Sequence, residues 1–162
     1  DEINSIFQKT GLLYSLNTNL QVERIVENSP LTPEVEATIA TVKEPGTLEL
    51  LQEAILLHKS PYPADIRDAT EKIWDAFERL KTYYTALNKR DSAAKIVNDM
   101  SGGQDDYITL FDTEFTALTK LGNNFRIRHH ETDKIDITDV RYYDYFFNRC
   151  LSLIALAIQY LQ

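Results

Sequence analysis

The chain has 162 residues, 43% of them hydrophobic and 10% aromatic, enough for the core of a single domain. Its net charge of −8 excludes the broad basic face of a general nucleic-acid coat, and no DNA-binding role is expected. A single cysteine excludes an internal disulfide and a cysteine-based zinc site, and no apolar run approaches the roughly 18 residues that span a bilayer.

The opening Asp1-Glu2-Ile3-Asn4 is acidic and polar, unlike a leader. With no initiator methionine, the expectation is a piece of a longer protein or a processed chain. Leu12, Tyr14 and Leu16 alternate, Asn17-Thr18-Asn19 marks a turn, and Leu20, Val22 and Ile25 follow. Residues 1–31 therefore read as an irregular arm or short hairpin, and residues 32–162 as one helical bundle.

Thr32-Pro33 pairs an N-cap threonine with proline at the first helical position, which predicts a helix to about Lys43. Glu44-Pro45-Gly46 breaks it, after which Leu48, Leu51, Ala54, Ile55 and His58 share a helical face. His58 on that face reads as a satisfied core or interface histidine. After Ser60-Pro61-Tyr62-Pro63, the residues Ile66, Ala69, Ile73, Ala76, Phe77, Leu80 and Tyr84 follow three–four spacing. Lys89, Arg90 and Asp91 fall near the end of this helix, and Trp74 on it is expected to pack.

A shorter helix through Ile96 and Met100 stops at Ser101-Gly102-Gly103. A long one follows with Tyr107 or Ile108, Phe111, Phe115, Leu118 and Leu121. Residues 131–137 read as a loop. Thr138 is expected to cap a last helix with the stripe Val140, Tyr143, Phe147, Leu151, Ile154, Ile158 and Leu161. Cys150 shares that stripe and reads as a buried, inert thiol. The sum is an all-α bundle of five or six helices.

Chemistry concentrates in Gly122-Asn123-Asn124-Phe125-Arg126-Ile127-Arg128-His129-His130-Glu131. From Lys120 to His130 there are three cations and no carboxylate, in an otherwise acidic chain. A phosphate-bearing partner would account for this reversal of sign. So would a structural cluster, with Arg128 paired to Asp144 or another carboxylate and a histidine at the helix C-terminus. A metal site on His129-His130-Glu131 is disfavoured, because neighbouring side chains diverge. No cofactor is expected.

Three stretches carry a family resemblance: Lys72–Lys81, Leu118–Glu131 and Tyr145–Leu151. Together they resemble the C-terminal domain of bacterial abortive-infection proteins, within the HEPN class, over roughly residues 60–162. The resemblance implies a small helical bundle acting as a dimer in phage defence or stress response; the single cysteine separately fits a reducing, cytoplasmic setting. The resemblance further implies a metal-independent endoribonuclease, with a non-catalytic dimerisation or ligand-sensing module as the alternative.

In that class an arginine and a histidine are separated by four to six residues, and two copies juxtapose their motifs. Histidine can take or give a proton near neutral pH, and arginine can stabilise the charge that develops on a phosphate under attack. By this resemblance Arg126, Arg128, His129 and His130 are the candidate catalytic residues, and Lys120, Asn124 and Arg149 the candidate RNA or phosphate contacts. The pattern departs in one respect, since only three residues separate Arg126 from His130. On a continuous helix those two would share a face; past a helix end they would not.

Arg149 lies opposite the last helix's apolar stripe, flanked by Tyr142 and Tyr145. Tyr145, Phe146 and Phe147 cannot all face one core. Part of this helix is therefore expected to bury against a second copy or the remainder of a longer chain.

Overall fold

Backbone rules account for most of the boundaries in the computed structural model, which describes residues 2–161. A first helix, α1 (Glu2–Thr10), precedes an antiparallel hairpin of β1 (Tyr14–Leu16) and β2 (Val22–Arg24), with Ser15 opposite Glu23. Of the two readings of this arm, irregular or a short hairpin, the hairpin is the one that forms, and the sequence reading missed α1. That helix buries no residue, and Ile3 and Ile6 remain exposed. The Asn4 amide joins it to the hairpin, accepting from Leu16 N at 2.6 Å and donating to Leu16 O at 3.0 Å.

Thr32 caps α2 (Pro33–Ile39) as expected, its hydroxyl accepting from Val35 N at 3.3 Å. The helix ends before the predicted Lys43, since the next one begins almost at once. Pro45 opens α3 (Pro45–Lys59), and Glu44 caps it by accepting from Gly46 N and Thr47 N. A proline disfavours helical geometry in the residue before it, so α2 cannot run into α3.

The α4 helix (Pro63–Leu80) packs beside α3 through the short turn after Lys59. Ile66, Ala69, Ile73, Ala76, Phe77 and Leu80 are all buried, as their spacing predicted. Tyr84 falls outside the helix, in a turn that Asn88 closes by capping α5 (Lys89–Ser101). Gly102 and Gly103 then take positive φ values of 60° and 74°, where a side chain would be strained, and α5 stops.

Two helices complete the bundle: α6 (Asp105–Asn124) and α7 (Val140–Ile158). Asp139, rather than Thr138, caps α7 through Arg141 N. Among the described residues this makes seven helices and one small sheet, an all-α bundle with a short hairpin. The core joins Leu51, Ile73, Phe77, Ile96, Leu118 and Phe147 from five helices. No described helix is long and apolar enough to cross a membrane.

Arg24 ties the hairpin to the bundle. It grips Asp144 of α7 with two bonds, at 2.7 and 2.8 Å, and donates to the His58 carbonyl at 3.0 Å. Asp144 is therefore engaged by the arm, and Arg128 finds a different carboxylate.

Candidate functional site

Helix α6 ends at Asn124 because Phe125 turns to extended backbone (φ −99°, ψ 149°). Residues 125–139 form a loop that folds back on itself. Arg126 N donates to Ile135 O at 2.8 Å, and Ile135 N to Asn124 O at 3.0 Å. Ile127 is buried and anchors the loop in the core. Arg126 and His130 therefore lie off the helix, and the shared helical face between them does not form.

Each candidate residue has a distinct fate. Arg126 donates Nε and Nη2 to the His129 carbonyl, at 3.1 and 2.7 Å, and its Nη1 faces Asp136 at 3.2 Å. Arg128 turns to α4. Its Nε and Nη2 reach Asp75 at 3.0 and 2.5 Å, and its guanidinium carbon lies 4.7 Å from the centroid of the Trp74 ring. Partial burial opposes the Arg128 charge, but Asp75 outweighs it and holds the pKa above the usual arginine value.

His129 Nε2 lies 2.7 Å from Asp68, and its Nδ1 lies 3.1 Å from Arg67 Nη2. Arginine only donates, so Nδ1 accepts and Nε2 carries the proton that bonds Asp68. Both ring nitrogens of His129 are thus engaged. His130 is exposed, and its ring has no hydrogen-bond partner among the described residues.

Three cationic or polarisable groups meet at one place. Arg67, Arg126 and His129 line a cavity of about 560 Å³, whose wall also includes Asp136, Thr138, Tyr143 and a set of apolar side chains. Arg67 and its neighbour Asp68 were not singled out in the sequence, because they stand some sixty positions upstream on α4. Lys120, Asn124, Arg128 and His130 do not line this cavity. Lys120 and Asn124 are exposed near the end of α6. Arg149 lies elsewhere, 3.5 Å from Glu114, beside Tyr145 in a separate open groove.

The reversal of charge in the run has an intramolecular counterpart. Asp68, Glu71 and Asp75 form an acidic edge on α4, meeting His129 Nε2, His129 N and Arg128 respectively. This is the structural cluster in part, with Asp75 in the place anticipated for Asp144. Arg67 has no carboxylate partner among the described residues, so the groove keeps some positive character that α4 does not neutralise.

No described cluster of histidine, cysteine and carboxylate groups is suited to a metal ion. Cys150 is buried, and burial pushes its thiol pKa up to about 12, so it remains a thiol. His58 is buried as expected but is not fully satisfied, since its Nε2 has no partner among the described residues. No family model, curated protein or solved structure matches the chain.

Proposed function

We propose that this chain is an RNA-directed domain of HEPN type, in which Arg67 and Arg126 hold a backbone phosphate in the groove beside His129. The observation that carries this reading is the convergence of two guanidinium groups on one open cavity. Arg67 is oriented through a neutral acceptor, the His129 ring, and Arg126 through the His129 carbonyl, with only its Nη1 edge turned to the exposed carboxylate of Asp136. Charge-assisted bonds from planar guanidinium groups suit phosphate oxygens.

Cleavage without metal would proceed by attack of the ribose 2′-oxygen on phosphorus. A base removes the 2′ proton and an acid protonates the departing 5′-oxygen, leaving a cyclic phosphate and a free 5′-hydroxyl. His129 is tied at both nitrogens, so proton transfer would fall to the free ring of His130, which stands outside the groove and would reach a shared phosphate only across a pair of copies. Two copies of the chain would supply one such ring as base and another as acid. Tyr142 and Tyr145 of α7, both more than half exposed, offer a face for that second copy.

One observation favours a second reading, a non-catalytic dimerisation or sensing module. Arg128 and His129 are both committed to α4, which suits a loop kept for shape. Incubating labelled RNA with the chain in EDTA, beside Arg126→Ala and His130→Ala, separates the two. EDTA-resistant cutting that both substitutions abolish supports the ribonuclease. Binding that Arg126→Ala weakens, without cutting, supports the module.

A further inference from the structure

Resting on the phosphate reading of the groove, we infer that Asp136 occupies the anion's own seat against Arg126 and acts as a gate that an incoming phosphate must displace. Four observations lead there. Asp136 comes from the far arm of the loop, and Ile135 beside it is pinned by two backbone bonds to Asn124 and Arg126. Its carboxylate stands 3.2 Å from Arg126 Nη1 and lines the same cavity. It is the only carboxylate within ion-pair distance of Arg126 among the described residues. Its side chain is 70% exposed, so little packing resists its departure.

The guanidinium does not depend on the gate for its position. Its Nε and Nη2 edge is locked on the His129 carbonyl, and only the Nη1 edge is turned to Asp136. When the carboxylate leaves, Arg126 keeps its orientation and presents an unpaired donor to the cavity. A carboxylate and a phosphate both offer paired oxygens to a guanidinium, so one can substitute for the other. Arg67 adds a second cation with no carboxylate partner among the described residues. A phosphodiester can therefore use both arginines, while Asp136 uses only one. The gate is weak by construction, because an exposed ion pair contributes little. It tunes affinity and excludes anions too weak to compete for Arg126.

The test measures binding of a short fluorescein-labelled oligouridylate by anisotropy to the wild type, Asp136→Asn and Asp133→Asn. Asp133 is an exposed carboxylate of the same loop outside the cavity, so its variant makes the same change in net charge without opening the seat. Asp136→Asn is expected to tighten binding about threefold to fivefold, the scale of an exposed ion pair. Asp133→Asn is expected to change it by less than about half that. Equal tightening by the two variants would overturn the gate and leave the groove intact. Binding by none of the three would overturn the phosphate reading itself, and the gate with it.

Discussion

The indole of Trp74 fills the space in which Gly122 would carry a side chain. A Cβ built on Gly122 falls 1.8 Å from Trp74 Cε2, within helix α6. The same indole is 4% exposed, donates Nε1 to the Leu118 carbonyl at 3.4 Å, and lies under the Arg128 guanidinium. Trp74 thus couples the end of α6 to the loop that forms the groove.

Gly122→Ala is therefore expected to destabilise the fold, although alanine is the better helix former. The propensity gain is about 1 kcal/mol, while overpacking a rigid ring costs about 1–3 kcal/mol and the ring has little room to move. Trp74→Ala should cost about 3–5 kcal/mol through the cavity it leaves. Combining the two substitutions should cost less than their sum, since the clash vanishes with the ring. Urea midpoints of the three variants check this; strict additivity would show that the close approach is not felt.

His58 makes stability depend on mildly acid pH. Its ring stacks on Phe147 with centroids 3.8 Å apart and planes 2° from parallel. Burial, then the Arg24 charge, lower its pKa from 6.5 to about 4; Asp144 opposes them, and Lys59 adds to the lowering. The unfolded histidine takes a proton near 6.5 and the folded one does not until near 4, so stability falls as pH drops through that window. The loss amounts to roughly 2 kcal/mol by pH 5. Glu44 and Asp139, also held below their usual values by Arg79 and Arg141 respectively, act in the same sense only at lower pH. His58→Phe keeps a ring against Phe147 and removes the unpartnered Nε2. Urea unfolding from pH 6.5 to 5 should slope for the wild type and be much flatter for this variant. Equal slopes would assign the titration to other groups.

Helices with a buried face were legible in the sequence, and the helix without one was not. The α4 stripe from Ile66 to Leu80 and the Thr32 cap were readable because local chemistry sets them. Helix α1 was invisible because it buries nothing and is tied to the hairpin by the Asn4 amide. The end of α4 was misplaced because Tyr84 continues the spacing yet uses its backbone N–H on the Ser92 hydroxyl. In the candidate site, Arg126 and His129 stood out by charge. Arg67, Asp68 and Asp75 did not, because only the packing of α4 against the loop brings them there. Charge patterning shows where a sign reverses along the chain and is silent about which distant residue answers it.

Arg126 and Arg128 are two positions apart and should fail in opposite ways when removed. Arg128 is committed to Asp75 and Trp74 and does not line the groove. Its loss leaves Asp75 without a partner and uncovers the indole. Arg128→Ala should therefore cost about 1–2 kcal/mol of stability, within the range for a charged hydrogen bond with a cation–π contact. Its RNA affinity should change little. Arg126 is held by a carbonyl and an exposed carboxylate, so Arg126→Ala should cost less than about 1 kcal/mol of stability. It should weaken oligouridylate binding and reduce the slope of log affinity against log salt by about 0.7, the contribution of one single-strand phosphate contact. Urea midpoints beside anisotropy titrations at several salt concentrations measure both quantities. A slope lowered by Arg128→Ala and not by Arg126→Ala would move the phosphate from the groove to the α4 edge.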